Sequence, residues 1–284
     1  MNKIFKVGLI GCGHIAETYF RAHKYFNNFK IIKCADIKDN ASKKCANIYG
    51  IKALSVKKLL EDEGMFVFES PYWLDSITSG KFDQIYHEHV TYISVKPIKK
   101  LASFFDLQIN DVFMSDYHGG SLRIIVSKKK NIENFEKIEN IIKKEEKLEL
   151  YSEIFYNSFM LKLNKKRNIF MEKIYKSLIN ASPLVCIGAA AKGNTFLNFY
   201  GLDNKLVDYV TDNSEHKIGK YTPLTRIPIT TDEIVKKLNK PNIIFTHNNR
   251  DLNIDHGIIH KAVMTASRPQ SRNTIKQIYS FEIK

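Results

Sequence analysis

Acid–base side chains are concentrated in one short segment, Tyr86 to His89, which places a phenol, two imidazoles and a carboxylate in consecutive positions. Histidine exchanges protons near neutral pH, and a neighbouring carboxylate or phenol can hold its tautomer and tune its pKa. An extended backbone would put Tyr86 and Glu88 on one face and the two histidines on the other, whereas a loop could gather three of the four. The segment predicts a general base with its supports. A metal site made by His87 and His89, and a polar loop without chemistry, are the alternatives.

A glycine motif suited to a dinucleotide follows the first apolar run, residues 5–10. In Gly11-x-Gly13-x-x-Ala16 the first glycine permits a tight turn and the second lets a pyrophosphate approach the backbone. The alanine then allows close packing of helix and strand. Asp36 ends the next predicted strand, roughly 20 residues further on, where a carboxylate accepts hydrogen bonds from a ribose 2′-OH. These four residues predict a dinucleotide-binding crevice.

A second glycine-containing loop runs from Gly188 to Thr195. It has P-loop spacing, but Asn194 stands where the lysine that reaches terminal phosphates would be, so we exclude ATP hydrolysis. Backbone N–H groups of such a loop can still cradle a diphosphate, with Lys192 adding positive charge. We predict that Gly188, Lys192, Gly193 and Asn194 bind substrate, with a plain glycine-rich connection as the alternative.

His118 precedes a glycine pair that leads into a predicted strand, residues 122–126. Paired glycines favour unusual backbone angles or the close approach of a ligand, although a plain turn has the same composition. We include His118 among the candidate substrate-binding residues.

Apolar runs and helical periodicity predict the elements that hold these residues. Strands are predicted at 5–10, 29–35, 64–69, 122–126, 184–188 and 206–211, and helices at 17–26, 130–148, 151–178 and 195–199. The fold class is therefore α/β, with two Rossmann-like units joined by long helices. In this prediction residues 1–62 and 63–128 merge into one composite sheet, and residues 182–245 form the C-terminal sheet.

Composition limits the class of protein. A chain of 284 residues with 44% hydrophobic residues fits two globular α/β units. No apolar run reaches the length of a membrane span and no signal-peptide pattern is seen, so we expect a cytoplasmic protein. The net charge of +14 comes from scattered lysines rather than a clustered stripe, which disfavours nucleic acid and favours an anionic nucleotide substrate. The four cysteines form no C-x-x-C pair, so neither a zinc site nor a disulfide framework is predicted from them.

Six motifs resemble, in order, those of the nucleotide-sugar C-methyltransferases over about residues 64–240. They are Val-Phe-Glu-x-Pro-Tyr at 67–72, Phe-Asp-x-Ile-Tyr-His-Glu-His-x-x-Tyr at 82–92, His-Gly-Gly-Ser-Leu-Arg at 118–123, Gly-Ala-Ala-Ala-Lys-Gly-Asn-Thr at 188–195, Asp-Tyr-Val-x-Asp-Asn at 208–213 and Lys-x-Gly-Lys-Tyr-x-Pro at 217–223. The resemblance implies methyl transfer from S-adenosylmethionine to a nucleotide-linked 4-keto-deoxysugar. It also implies that His89 is the base that removes the proton α to the ketone, with Tyr86 and Glu88 as supports, and that the C-terminal part helps hold the sugar nucleotide.

Residues 1–62 instead resemble the Gfo/Idh/MocA oxidoreductases, through Gly-Cys-Gly-x-Ile-Ala at 11–16 and Tyr-Gly-Ile-Lys-Ala at 49–53. This resemblance implies NAD binding, although the Glu-Lys-Pro motif of that family is not found. The segment stands where the methyltransferases have a cysteine-rich zinc domain and the front half of their S-adenosylmethionine domain. An NAD-dependent sugar oxidoreductase and a non-catalytic sugar-nucleotide-binding protein are therefore the alternative functions.

Five segments follow from this interpretation. They are a nucleotide-binding segment (1–62), core strands with the Tyr-His-Glu-His element (63–130), a helical connector (131–181), a sugar-nucleotide domain (182–245) and an unassigned tail (246–284). The tail contains Arg250, Asp255, His256 and Arg268. We expect an enzyme whose partner is a nucleotide-diphosphate sugar, with no nucleic-acid or membrane partner.

Overall fold

A computed structural model describes residues 4–60, 64–116, 120–129, 132–179, 184–231, 233, 243–247, 260–261, 263–265 and 277–281. Within these ranges the protein is a mixed α/β structure whose strands form small sheets. Its contacts divide the chain into two compact units. The first contains Met1–Phe68, Lys99–Val112 and Ile124–Phe135, and the second contains Glu69–Ile98, Phe113–Arg123 and Glu136–Lys284.

The N-terminal sheet is parallel, with the strand order β1 (Phe5–Ile10), β2 (Phe29–Ala35) and β3 (Lys52–Ala53). Both long strands have the predicted bounds. Helix α1 (Ala16–Ala22) and helix α2 (Asp39–Tyr49) connect the strands, and the predicted helix at 17–26 ends in a 3-10 turn. A short helix α3 (Val56–Leu59) follows. The core includes Phe20 and Ile31, because apolar side chains of α1 and β2 face each other.

The middle sheet has the strand order β4 (Met65–Pro71), β6 (Ser121–Ser127) and β5 (Gln108–Ser115). Helix α4 (Trp73–Thr78) and helix α5 (Val95–Ser103) lie between β4 and β5 in the chain. The prediction that residues 1–62 and 63–128 merge into one sheet is wrong for the described strands, because β4 pairs with β6 in a sheet of its own. Apolar runs identify strands, but they do not specify which edges pair.

Two long helices follow, α6 (Phe135–Lys147) and α7 (Glu153–Leu178), and confirm the predicted helix pair. The break also lies where it was predicted, since Glu149 has a left-handed φ of 53° that cannot continue a helix. Ser152 then caps α7 by accepting a hydrogen bond from the N–H of Phe155 at 3.1 Å.

A fully buried carboxylate, Glu145 on α6, ties this helix to its neighbours in the second unit. Its Oε1 accepts from the Tyr72 hydroxyl at 3.0 Å and the Val95 N–H at 2.7 Å. Its Oε2 accepts from the Lys96 N–H at 3.0 Å and the Tyr151 hydroxyl at 2.5 Å. Glu145 therefore caps the first turn of α5 with its side chain and satisfies all of its own acceptor needs without water.

The C-terminal sheet is again parallel, with the order β7 (Val185–Ile187), β8 (Tyr209–Thr211) and β9 (Ile229–Thr230). Helix α8 (Ala191–Tyr200) joins β7 to β8. The predicted helix at 195–199 starts too late, because α8 begins at residue 191 and contains Gly193. A glycine inside a helix costs only about 1 kcal/mol, which the packing of α8 on the core outweighs.

A final parallel pair, β10 (Ile243–His247) and β11 (Gln277–Phe281), lies mostly in the tail that sequence left unassigned. Arg250, Asp255, His256 and Arg268 lie outside the described residues. Among the described helices, none is long and apolar enough to cross a membrane.

Candidate active site

The segment from Tyr86 to His89 is a turn, in which the His89 N–H donates to the Tyr86 carbonyl at 3.0 Å. This turn brings the two rings together, with centroids 4.4 Å apart and the Tyr86 hydroxyl 3.2 Å from Nε2 of His89. The backbone is therefore not extended, and the loop alternative describes its geometry. Of the predicted four-residue cluster, Tyr86 and His89 are partly buried while His87 and Glu88 are exposed.

The tautomer of His89 follows from its second contact. Nδ1 lies 2.9 Å from the Gln84 carbonyl, which can only accept, so Nδ1 carries the proton. Nε2 then carries the lone pair and can accept a hydrogen bond from the Tyr86 hydroxyl. A neutral imidazole with a fixed acceptor nitrogen is what a general base requires.

Glu88 interacts with Tyr86 and with the neighbouring His87. Its Oε1 is 4.0 Å from Nε2 of His87, and both side chains are largely exposed. Burial, followed by the charge of Glu88 and a hydrogen bond to it, raises the pKa of the Tyr86 phenol. Tyr86 is therefore protonated at neutral pH, and its single O–H can donate either to Nε2 of His89 or to the Glu88 carboxylate.

A small cavity of about 40 Å³ opens beside His89. Its walls are Ser70, Pro71, Trp73, Ser76, Gln84, His89, Thr91 and Tyr92. The Gln84 side chain is buried, and its Oε1 has no hydrogen-bond partner among the described residues. A buried amide oxygen without a donor is costly, so this atom is suited to accept a hydrogen bond from a ligand hydroxyl. The sequence reasoning did not single out Gln84 or Trp73, although both lie in or next to the quoted motifs.

The turn after β7 is held by an aspartate clasp. Gly188, with a φ of 90°, donates its N–H to the Thr211 carbonyl at 2.7 Å, and the Ala189 N–H donates to Oδ2 of Asp212 at 2.9 Å. Asp212 also accepts from the Ser214 N–H at 2.8 Å and from Nζ of Lys217 at 3.0 Å. Burial alone would raise the pKa of Asp212, but these donors together hold it below its ordinary value.

A larger cleft of about 270 Å³ lies beside this clasp. Its walls are Ala189, Ala191, Asn194, His216, Lys217, Lys220, Tyr221, Pro223 and Ile229. Of the predicted substrate-binding residues Asn194 lines the cleft, whereas Gly188, Lys192 and Gly193 do not. Two ammonium groups near the start of α8 make this cleft suited to a phosphate group. Lys217 and Lys220 lie in the motif at residues 217–223, but neither lysine was predicted to bind substrate.

The loop that carries His89 contacts helix α8 directly, within the same unit. The Thr195 hydroxyl donates to the Ile85 carbonyl at 3.4 Å, and the ring centroids of Phe82 and Phe199 are 4.4 Å apart. The small cavity and the basic cleft therefore lie on two segments that touch. His118 lies outside the described residues.

The first unit contains the predicted dinucleotide turn. Gly11, with a φ of 94°, donates its N–H to the Ala35 carbonyl at 2.9 Å, and the Cys12 N–H donates to Oδ2 of Asp36 at 2.7 Å. A Cβ added at Gly11 or Gly13 would meet no atom within 4 Å, so space next to the turn is open. Ala16 is buried against the core, as the motif requires. Hydrogen bonds from the N–H groups of Cys12 and Lys38 lower the pKa of Asp36.

Three cysteines of this unit converge, which their spacing in sequence did not indicate. The Sγ atoms of Cys12, Cys34 and Cys45 all lie within 4.8 Å of one another. Burial, together with the neighbouring thiols, raises the pKa of Cys12 to about 11, and burial likewise raises that of Cys45 to about 11. All three are free thiols, as is Cys186 in the second unit.

Part of the chain is similar to C-methyltransferases. Residues 116–251 match a family described as the C-methyltransferase C-terminal domain. A curated relative, the C-methyltransferase NovU of Streptomyces niveus, is 27% identical over 179 residues, which are 63% of this chain and 43% of the relative. The chain thus spans less than half the length of that relative. The family match does not reach residues 1–62, so the oxidoreductase resemblance of this segment remains a prediction.

Proposed function

We propose that the protein is a sugar C-methyltransferase-like enzyme that acts on a nucleotide-diphosphate 4-keto-deoxysugar. The observation that carries the proposal is the Gln84–His89 hydrogen bond, which leaves Nε2 of His89 as a fixed proton acceptor beside a cavity. The similarity to C-methyltransferases supports the same reaction class.

His89 takes the proton from the carbon α to the ketone. The C–H bond breaks, its electron pair forms the enolate, and Nε2 becomes protonated. The resulting imidazolium keeps its Nδ1–H bond to the Gln84 carbonyl, which stabilises the charged ring. Tyr86 is protonated at neutral pH and positions Nε2 by donating to it. Once Nε2 has taken the substrate proton it no longer accepts, and the Tyr86 O–H is then available to the negative charge that develops on the sugar.

The basic cleft holds the diphosphate of the sugar nucleotide in this proposal. Lys217 and Lys220 provide positive charge, and the first turn of α8 offers N–H groups that have no partner within the helix. The Thr195–Ile85 contact keeps the loop of His89 next to this helix. A sugar bound through its diphosphate would thus be held near the base. In this proposal both parallel sheets belong to Rossmann-like units.

The turn of the first unit fits the adenosine part of S-adenosylmethionine, the group that supplies the methyl when bound. Each oxygen of Asp36 accepts one backbone N–H and retains a lone pair for a ribose hydroxyl. Ile37, which follows it, is 93% exposed and offers an apolar surface to a base. NAD contains the same ribose diol, so the NAD-dependent oxidoreductase remains the second candidate function.

Proton exchange in D₂O tests the proposed base without any methyl donor. With a dTDP-4-keto-6-deoxysugar, wild-type protein should exchange the proton α to the ketone, followed by NMR. His89→Ala should slow exchange by roughly 10²–10⁴-fold, the usual contribution of a positioned general base. His87→Ala is the matched control and should have little effect, because His87 is exposed. Glu88→Gln should have a smaller effect than His89→Ala, since Glu88 contacts Tyr86.

Two outcomes would contradict this assignment. Exchange that survives in a folded His89→Ala variant would place the base elsewhere. Absence of exchange in wild type, despite measurable binding of the sugar nucleotide, would favour a non-catalytic sugar-nucleotide-binding protein.

A further inference from the structure

We propose that Cys12, Cys34 and Cys45 bind a divalent thiophilic metal ion of the zinc class, at a site that links the turn after β1 to β2 and α2 of the first unit. The three sulfur atoms come from three different elements and lie within 4.8 Å of one another. Tetrahedral zinc with Zn–S bonds of about 2.3 Å needs sulfur atoms about 4 Å apart. The ligands are therefore close to the required positions without a large movement of the backbone.

Each ligand is held by a different part of the fold. Cys12 lies in the turn after β1, Cys34 lies in β2, and Cys45 lies on α2. Cys34 and Cys45 belong to the buried core, and the side chain of Cys12 packs against the same cluster. An ion at this point would lie on the core side of the turn and would link strand, turn and helix.

Charge favours a divalent ion over a monovalent one. Three thiolates and a divalent ion leave one net negative charge, whereas Cu(I) would leave two. Asp36 is also anionic and its charge acts on Cys12 and Cys34. Burying a larger uncompensated charge beside a carboxylate is costly, so zinc is preferred to Cu(I).

Binding of the metal ion releases protons and requires no oxidant. Three S–H bonds break, three sulfur–metal bonds form, and three protons go to solvent. In the metal-free protein two of these thiols donate to backbone carbonyls, Cys12 to Ala35 at 3.6 Å and Cys34 to Ser42 at 3.4 Å. Sulfur donors bond weakly, so the ion replaces contacts of little strength. Cys12 is partly exposed, which leaves room for water as the fourth ligand.

Anaerobic titration of the reduced, metal-free full chain with Co(II) tests the site. We expect one equivalent to produce the thiolate charge-transfer absorption and the visible bands of tetrahedral Co(II), and Zn(II) to displace them. Zn(II) at about 100 times its dissociation constant should raise the melting temperature by roughly 5–10 °C. Cys12→Ser should abolish both effects. Cys186→Ala is the matched control and should retain them, because Cys186 lies in β7 of the other unit.

Cys12 is chosen because it is the least buried ligand, so its replacement should leave the fold intact, as circular dichroism can verify. Cys45→Ala should have the same effect if it folds. The proposal is overturned if neither Co(II) nor Zn(II) binds stoichiometrically, or if binding survives in folded Cys12→Ser. A disulfide between two of these cysteines in protein prepared without reductant, with no metal bound by the reduced form, would also overturn it.

Discussion

The N-terminal and C-terminal sheets contain the same clasp, built from different sequences. In each, a glycine of positive φ ends the first strand and donates to the carbonyl that ends the second, at 2.9 Å for Gly11 and 2.7 Å for Gly188. In each, the next N–H donates to an aspartate further along the chain, 24 residues on for Asp36 and 23 for Asp212. Each aspartate also accepts the N–H two residues after itself.

The surroundings of the two clasps differ in charge. Asp212 is paired with Lys217, and a second lysine, Lys220, lines the adjacent cleft. Asp36 is held by backbone N–H groups and is followed by an exposed isoleucine. The same hydrogen-bonded turn therefore has lysine ammonium groups beside it at Asp212, whereas at Asp36 it presents a carboxylate. We infer that the surroundings of Asp212 suit a diphosphate and those of Asp36 suit a neutral ribose diol.

The largest expected difference is in diphosphate binding. Replacing both Lys217 and Lys220 by alanine should weaken dTDP binding by at least about 100-fold, because each ammonium–phosphate hydrogen bond contributes about 1.5–3 kcal/mol. Binding of S-adenosylmethionine or NAD should be unchanged in the same variant. Isothermal titration measures both. Lys192→Ala, which removes a lysine outside the cleft walls, should have a much smaller effect, and an equal effect would restore Lys192 to the phosphate site.

The reciprocal change is Asp36→Ala, which should weaken ligands with a free ribose diol by roughly 10-fold or more without affecting dTDP. Wild type should prefer NAD to NADP, because the carboxylate repels a 2′-phosphate. The variant should lose that preference, again by isothermal titration. Asp39→Ala is a control for a nearby charge outside the clasp. Equal or tighter binding of NADP by wild type would contradict the assignment of Asp36.

A substitution at Gly193 should affect ligand binding at the C-terminal clasp and not at the N-terminal one. Gly193→Val should weaken dTDP binding by about 10-fold, because a branched side chain in the first turn of α8 obstructs approach of the phosphates. Gly193→Ala is the matched control. Its Cβ would lie 3.7 Å from the Gly188 carbonyl, an ordinary contact, so it should fold normally and bind better than the valine variant. Unchanged dTDP affinity in a folded Gly193→Val protein would mean that this turn only connects strand and helix.

The smallest expected difference is in acid stability. Both aspartates have pKa values below the ordinary value of 3.8. Their contribution is therefore present above the unfolded-state pKa and is lost as the pH falls through the folded-state pKa. Melting temperature should fall less steeply between about pH 5 and pH 2 in Asp212→Asn than in wild type. Asp36→Asn should show a weaker change, because Asp36 is held by two backbone N–H groups and Lys38 acts on it only through its charge, whereas Asp212 also has the Lys217 ammonium at 3.0 Å. Parallel curves for all three proteins would show that neither carboxylate contributes.

Local patterns in the sequence predicted much of this fold. Apolar runs located β1 and β2, and helical periodicity located α6, α7 and the break between them. The start of α8 was missed because Gly193 is a residue that usually interrupts helices, and only packing on the core outweighs that tendency. The prediction that residues 1–62 and 63–128 merge into one sheet was wrong, because strand pairing is a property of the whole fold.

The candidate sites likewise divide into those that local sequence predicts and those that only the folded chain reveals. The Tyr86–His89 segment was visible because its residues are adjacent in sequence. The cysteine cluster was not, since Cys12, Cys34 and Cys45 converge only when β1, β2 and α2 pack together. Gln84 was missed for a different reason, because its role depends on a backbone carbonyl, which every residue has, and on burial of its amide.

Glu145 has a consequence for how this chain can be divided. A fragment cut at the boundaries of the matched region, residues 116–251, would keep this carboxylate and lose three of its four donors, Tyr72, Val95 and Lys96. Such a fragment should be poorly soluble or misfolded when expressed alone. Recombination between related enzymes meets the same limit, because a crossover between residues 96 and 145 should succeed only when both parents carry an acid and its donors at these positions.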